Sequence, residues 1–145
     1  MIEFFVAGVP KPAGSKRAFR NAKTGRIIVI DDCTKGKDWR GDVRFVATQA
    51  VGDDASPLDG PLYLYVDFHM PRPKGHFGRN GVKASAPAYP TSKPDATKLL
   101  RCIEDALTGI LWRDDAQIVM QSVSKVYADK QPGARVRVGR MEQSA

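Results

Sequence analysis

The chain has 145 residues, a length that suits one domain with a modest core of its own. Its 42% hydrophobic and 27% charged residues are typical of a soluble globular protein, and no apolar run approaches the roughly 18–20 residues of a membrane span. The 23 Lys and Arg residues outnumber the 16 Asp and Glu residues, and the resulting net charge of +7 favours a polyanionic partner.

The basic residues are clustered along the chain. Nine of the 23 lie within residues 1–40 beside four acids, and another seven lie within residues 72–101 beside Asp95 alone. Such clusters attract phosphate groups and release condensed counterions, which favours nucleic acid as the partner. A basic surface that serves solubility, or that binds an acidic protein, is the alternative interpretation.

The first predicted element is a strand, IEFFVAG at residues 2–8, which is rich in β-forming residues. It lacks the basic leader that precedes the apolar core of a secretory signal. The two cysteines, Cys33 and Cys102, are far apart and show no CxxC spacing, so neither a zinc site nor a disulfide framework is expected. These features predict a cytoplasmic protein.

A basic stretch follows, with a predicted turn at Thr24-Gly25 and a second short strand over residues 27–30. Its cationic side chains are candidate contacts to DNA phosphates, namely Lys16, Arg17 and Arg20. Apolar residues then recur at helical spacing and predict a helix over about residues 37–51. They are Trp39, Val43, Val46, Ala47 and Ala50.

The clearest strand is LYLYVDFHM at residues 62–70, where apolar and polar residues alternate. One face is predicted to enter the core and carries Leu62, Leu64, Val66 and Phe68. The other face carries Asp67 and His69. A charged residue near a strand end is usually only solvated, but Asp67 is also a candidate carboxylate for a site.

Residues 71–92 form a predicted basic loop that is rich in proline and glycine. Loops of this length inside a compact domain tend to be functional or disordered. Three cations of the loop are candidate DNA contacts, namely Arg72, Lys74 and Arg79. His76, Phe77 and Tyr89 could stack on bases or ribose.

A second helix is predicted from about residue 95 to 108, because Pro94 bars residue 93 from helical geometry and Gly109 is placed to end the helix. One arc of this helix is apolar, with Leu99, Leu100, Ile103, Ala106 and Leu107. The opposite side carries Lys98, Arg101 and Asp105.

Two strands end the chain, one over about residues 118–128 and one around residues 134–138 with Arg135 and Arg137 on a basic face. A hairpin-like turn at KQPG is predicted between them. The element order predicts a single α+β domain over residues 1–145, in which one mixed sheet packs against two main helices.

Five of the 16 acidic residues lie within residues 93–117. Asp95 could be a helix cap, and Asp114 and Asp115 could be turn residues. Alternatively, Asp95 and Asp115 could hold Mg²⁺, which prefers oxygen ligands, for phosphodiester hydrolysis, with Lys98 or Arg101 binding the phosphate. This second interpretation requires the following strand to start beside the N-terminus of the helix.

The same stretch, KPDATKLLRCIEDALTGILWRDDAQIV at residues 93–119, resembles the RusA-type Holliday junction resolvases. That family shows a KPD-x-D-N-L start, then D-A-L, then D-D-x-Q-[IV], and GVPKPAGSKR and FHMPRPK resemble two further family segments. The resemblance implies a small α+β fold and a homodimeric, Mg²⁺-dependent endonuclease that makes paired nicks in four-way DNA junctions during recombination and repair. Mn²⁺ is an alternative ion, and a bacterial or phage-infected cytoplasm is the implied setting.

The resemblance also implies site residues. Catalytic roles fall on Asp95, Asp115 and Arg101, and the metal ligands are Asp95, Asp115 and Asp114. Thr97 stands where the family has a second aspartate, so another acid, Asp67 or Asp105, is expected to complete the site. The alternative is a protein that binds branched DNA without cutting it and whose carboxylates are structural.

Overall fold

The computed structural model describes residues 1–13, 16–20, 27–31 and 36–142, apart from the side chains of residues 16–20, 27–31 and 36–38. The strands in chain order are β1 (Ile2–Ala7), β2 (Lys16–Arg20), β3 (Ile27–Asp31), β4 (Leu62–Met70), β5 (Phe77–Gly78), β6 (Gly81–Val82), β7 (Ile118–Tyr127) and β8 (Gly133–Arg140). The helices are α1 (Gly36–Val51) and α2 (Ala96–Leu107).

The main sheet has four strands in the order β1-β8-β4-β7. Strand β8 pairs antiparallel with both β1 and β4, whereas β7 pairs parallel with β4, so the sheet is mixed. Both helices pack against its apolar face. The predicted α+β class is therefore confirmed.

The core lies between this sheet face and the two helices. Strand β4 alternates as predicted, because Leu62, Leu64, Val66 and Phe68 are fully buried while the residues between them are half-buried. Helix α1 contributes Trp39, Val43 and Ala47, and α2 contributes its apolar arc together with Cys102. No helix within the described ranges is long and apolar enough to cross a membrane.

The opposite face of the sheet carries polar side chains that bind one another. Arg135 lies 3.4 Å from Glu3, and Arg137 lies 3.4 Å from Asp67. The predicted basic face of β8 exists, but its cations are paired with carboxylates of neighbouring strands. Ser124 adds a hydrogen bond of 2.6 Å to Asp67.

Two features of the N-terminal half differ from the prediction. Strand β2 was not expected, because three of its five residues are Lys or Arg and obscure any alternation. It pairs antiparallel with β3, and these two strands form a separate sheet instead of joining the main one. The predicted turn at Thr24-Gly25 lies outside the described residues.

The 71–92 loop is more regular than its composition predicted. It contains a short 3-10 turn at Lys74–His76 and a minimal hairpin in which β5 pairs with β6. Gly81 has a φ of 106°, a conformation that glycine adopts without a steric penalty. Gly81 therefore allows the β5–β6 hairpin to close.

The predicted hairpin between the last two strands is wrong. Strands β7 and β8 lie on either side of β4 and do not pair with each other. Strand β4 lies between them and has a ladder partner on each edge, β7 in parallel and β8 antiparallel. The segment between β7 and β8 crosses the end of β4, where Ala128 N donates to Met70 O at 2.8 Å.

Gly133, at the start of β8, is expected to tolerate no side chain. A Cβ there would overlap the backbone oxygen of Val6 and the ring of Phe5, and a backbone atom in a paired strand has little room to move. Gly133→Ala is expected to lower the free energy of unfolding by about 1–3 kcal/mol.

Gly41→Ala is the matched control, because nothing lies within 4 Å of a Cβ at this helical position. It is expected to raise the free energy of unfolding by about 0.5–1 kcal/mol. Urea denaturation followed by circular dichroism measures both variants. Equal stabilities for Gly133→Ala and the wild type would contradict the described packing of β1 against β8.

Candidate functional site

Helix α2 lies antiparallel to β7, and polar contacts fix it at two points. Near its start, Lys125 Nζ donates to Ser92 O at 2.8 Å and to Pro94 O at 2.9 Å. Towards its end, the side chain of Gln121 donates to Glu104. The start of β7 therefore lies beside the C-terminal end of α2, and the end of β7 lies beside the N-terminal end of the helix.

Asp95 occupies the N-cap position of α2, but its side chain makes no capping hydrogen bond. Its carboxylate is exposed and lies 3.9 Å from Lys98 Nζ, which is also exposed. An ion pair of this length between exposed groups adds little stability. The Asp95 carboxylate is thus available to a ligand, and the capping role that the sequence allowed is not realised.

A cleft of about 440 Å³ lies next to this end of α2. Its walls come from the segment after β1, from both ends of the 71–92 loop, and from the end of β7. Three lysines contribute to the lining, namely Lys11, Lys93 and Lys125. A smaller depression, which shares Lys93 and Pro94 with the cleft, extends to Asp95 and Lys98.

A group of acidic residues, which includes Asp105, Asp114 and Asp115, lies at the C-terminal end of α2. Asp114 caps a short 3-10 turn at Asp115–Gln117, where its carboxylate accepts a hydrogen bond of 2.9 Å from Ala116 N. The side chain of Gln117 accepts from the backbone N–H groups of Arg113 and Asp114 and donates to the carbonyl oxygens of Leu58 and Gly60. This turn holds Asp115 with its side chain exposed.

Glu104 is a member of this group that the sequence analysis missed. It is half-buried, and burial is the main cause that raises the pKa of its carboxyl above the usual value of 4.5. Asp115 and Asp105 raise this pKa further, while the hydrogen bond from Gln121 and the charge of Arg101 oppose the rise. The one sequence signal that could have revealed Glu104 was its position three residues after Arg101 on the same helix.

The structure does not bring Asp95 and Asp115 together within one copy of the chain. Glu104, whose carboxyl is influenced by the nearby charge of Asp115, comes nine positions after Asp95, which corresponds to about 14 Å along a helix axis. Oxygen ligands of one Mg²⁺ each lie only about 2.1 Å from the ion. Within residues 1–13, 16–20, 27–31 and 36–142, no three His, Cys, Asp or Glu side chains are grouped to hold a metal ion. The carboxylates of a single copy therefore do not fit one shared ion.

The two proposed third carboxylates have different positions. Asp67 is on the sheet face away from α2, where Ser124 and Arg137 bind it, so it does not approach Asp95 or Asp115. Asp105 is exposed on α2 next to Glu104. Of the two, only Asp105 belongs to the acidic group near Asp115.

The predicted DNA-contacting cations also differ in availability. The guanidinium of Arg72 lies 4.1 Å from the centre of the Tyr127 ring and donates to Pro87 O at 2.9 Å, so it fastens the loop to β7. Lys74, Arg79, Lys98 and Arg101 are exposed. The side chains of Lys16, Arg17 and Arg20 lie outside the described part of the structure.

Comparison with known proteins identifies a family and a relative. The family model described as endodeoxyribonuclease RusA matches residues 8–139. The uncharacterized protein YqaN of Bacillus subtilis (strain 168) is 32% identical over 133 residues, which cover 89% of each chain. The family match spans the cleft, both ends of α2 and the acidic turn.

The raised pKa of Glu104 predicts a pH dependence of stability. A carboxyl whose pKa is higher in the folded state favours folding when protonated, and this contribution is lost as pH rises through the folded-state pKa. Glu104→Gln keeps the side-chain length and removes the charge near Asp115. At pH 7 we expect the variant to unfold about 1–3 °C above the wild type, because the partly exposed site screens the effect.

The difference should vanish below about pH 4, where the wild-type carboxyl is protonated. Thermal unfolding from pH 3 to 8 measures it, with Glu3→Gln as a control at a carboxylate on the other face of the sheet. A Glu104→Gln variant that is less stable than the wild type at pH 7 would contradict the described environment.

Proposed function

Because the chain belongs to the endodeoxyribonuclease RusA family, we propose that it is a Mg²⁺-dependent, structure-specific endonuclease that resolves four-way DNA junctions by paired nicks. The observation that carries this proposal is the family match over residues 8–139, which includes every proposed catalytic residue. Two cuts related by the two-fold symmetry of a junction suit a homodimer with two equivalent sites.

The cationic surface near the start of α2 supports DNA as the substrate. Lys11 and Lys93 line the cleft, and Lys74 and Arg79 project from the exposed loop beside it. Phosphate contacts of this kind position a duplex without reading its sequence. A junction-specific enzyme needs this type of contact, because it recognises branched shape.

The state of the carboxylates supports their proposed roles as ligands. Asp95 and Asp115 are both exposed, and neither side chain caps a helix. Nucleases of this family generally depend on a divalent metal, and we propose Mg²⁺, with Mn²⁺ as a substitute. Asp95, Asp115 and Asp114 are the proposed ligands, and because a single copy does not group them around one ion, a shared ion would have to be held between the copies of the homodimer. Such an ion would polarise the phosphate and lower the pKa of a water molecule.

Arg101 and Lys98 are the proposed phosphate contacts on α2. Both are exposed. Arg101 lies one helical turn after Lys98, between Asp95 and the acidic group at the C-terminal end of the helix. A guanidinium is always charged and binds phosphate with two parallel hydrogen bonds. Arg101 therefore suits a clamp on the phosphate and not a proton donor.

A second candidate function is binding of branched DNA without cleavage. Thr97 favours it, because this exposed residue stands where the family has an aspartate and a hydroxyl binds Mg²⁺ far more weakly than a carboxylate. The separation of Asp95 from Asp115 within one copy favours it as well. Cleavage assays distinguish the two functions directly.

We expect the purified protein to cut a labelled synthetic four-way junction with Mg²⁺ and to bind it uncut with EDTA. Asp95→Asn and Asp115→Asn should each lower the cleavage rate by at least about 10²-fold, because each removes a charged ligand, while binding stays intact or tightens. Gel analysis of the nicked products and of the shifted complex measures both quantities.

Asp129→Asn is the control, because Asp129 is an exposed carboxylate that is not among the proposed ligands. It should cut at the wild-type rate. A wild-type protein that shifts the junction but leaves it uncut with Mg²⁺ and with Mn²⁺ would support the binding function instead. Normal cutting by Asp115→Asn would refute the assigned site.

The loop cations predict a specific dependence of binding on salt. If Lys74 and Arg79 contact phosphates, the double variant Lys74→Ala with Arg79→Ala should reduce the slope of log K against log salt by about 2. Arg140→Ala is the control, because Arg140 ends β8 at the other end of the sheet from this loop. An unchanged slope in the double variant would exclude the loop from the DNA interface.

A further inference from the structure

The cleft beside the start of α2 has walls that are mostly apolar. Six prolines contribute to its lining, namely Pro10, Pro12, Pro71, Pro73, Pro90 and Pro94. Met70 and Tyr127 add further apolar surface. Because proline has no backbone N–H and a fixed φ, such walls present stiff apolar surface with few hydrogen-bond donors. They suit the face of a flat ring better than a strongly polar group.

Hydrogen bonds fasten the walls of the cleft to the rest of the fold. In the segment after β1, Gly8 N donates to Pro132 O and Ala13 N donates to Lys98 O, both at 3.0 Å. Arg72 fastens the loop to β7, as described above. The volume of about 440 Å³ lies within the roughly 300–1,000 Å³ of small-ligand pockets. The cleft is therefore preformed, and a ligand that enters it does not have to order its walls.

Lys125 places a positive charge in one wall of the cleft. It is half-buried, and its ammonium donates to Ser92 O and Pro94 O. Both acceptors are neutral carbonyl oxygens, and a lysine ammonium has three N–H donors, so these contacts leave one donor and the whole charge uncompensated. Lys11 and Lys93 also line the cleft, and no carboxylate of a described residue does. The charges of the cleft therefore favour an anionic ligand.

A nucleotide combines the two properties that this lining favours, because it joins a flat aromatic base to phosphate groups. We propose that the cleft is a nucleotide pocket, which takes one unpaired nucleotide of a branched DNA strand. The base lies against the proline wall, and the adjoining phosphates lie at Lys11, Lys93 and Lys125. The pocket rests on DNA as the substrate of the proposed function, but it does not require that the DNA be cut.

The depression between the cleft and Asp95 relates the pocket to the reaction. Pro12, Lys93 and Pro94 line both the cleft and the depression, and Asp95 and Lys98 line the depression as well. A strand whose unpaired nucleotide occupies the cleft therefore has a neighbouring phosphate at the depression. The pocket positions that phosphate beside the exposed carboxylate of Asp95.

Two junctions that differ by one base test the pocket. The first is a four-way junction with a single unpaired thymidine at the branch point, and the second carries an abasic residue there, with the same phosphates. In EDTA, we expect the wild type to bind the thymidine junction about tenfold more tightly, because only this junction offers a base that is already unpaired. Fluorescence anisotropy at one salt concentration measures both dissociation constants. Equal affinities would overturn the proposal.

Ser92→Leu tests whether the cleft is the place where the base binds. Ser92 is exposed and lines the cleft, and Lys125 binds its backbone oxygen, which the substitution retains. A leucine side chain occupies the space of the base. We expect the ratio of the two dissociation constants to fall below about 2, while the affinity for the abasic junction stays within about twofold of the wild type.

Thr91→Leu is the matched control, because Thr91 is the exposed preceding residue and does not line the cleft. It should keep the preference of about tenfold for the thymidine junction. A Ser92→Leu variant that keeps the preference, or a Thr91→Leu variant that loses it, would show that the base binds elsewhere and would overturn the pocket.

Lys11→Gln tests the phosphate contacts separately from the base. Since both junctions carry the same phosphates, this variant should weaken the binding of both by the same factor, about threefold or more, and leave their ratio unchanged. Unchanged affinity for both junctions, or a change in their ratio alone, would contradict the assignment of Lys11 to a phosphate.

These binding measurements separate the pocket from the proposed nuclease function. If Ser92→Leu abolishes the preference for the unpaired base but the wild type cuts no branched DNA with Mg²⁺ or Mn²⁺, the nuclease function fails and the pocket stands. If the wild type cuts four-way junctions but binds the thymidine and abasic junctions equally, the pocket fails and the nuclease function stands.

Discussion

The antiparallel attachment of α2 to β7 is the constraint on which the arrangement of the site depends. The apolar arc of the helix is buried in the core, and the side chains of Lys125 and Gln121 fix its direction relative to the strand. These contacts define the direction of the helix relative to the strand. As a result, the exposed Asp95 carboxylate lies beside the lysine-lined cleft at one end of the helix, and the acidic turn lies at the other end.

The sequence predicted local elements well and their connections less well. Strand β4 was identified from its alternation, and α2 from its apolar arc and from the stop at Gly109, because burial on one face leaves a direct trace in the residue pattern. The placement of β4 between β7 and β8 left no such trace, since a short loop before β8 is compatible with pairing or with a crossing. Strand pairing is decided by the whole core and not by the connecting residues.

The site was predictable in residue type but not in placement. The spacing of Asp95, Arg101 and Asp115 suggested metal and phosphate chemistry, yet whether they meet depends on the direction of β7, which no motif encodes. Glu104 was missed because its raised pKa arises from burial in the folded chain and from Asp115, a residue 11 positions later. Arg72 was read as a DNA contact from its charge alone, while its binding to Tyr127 and Pro87 arises only when the loop packs on β7.

The turn that carries Asp115 has a consequence for the thermodynamics of binding. The amide of Gln117 makes four hydrogen bonds, two as acceptor and two as donor, which is its full capacity. The backbone around Asp115 has therefore already lost its conformational freedom on folding. A ligand that reaches this carboxylate meets a preorganised group, so the entropy of ordering the turn does not reduce its affinity.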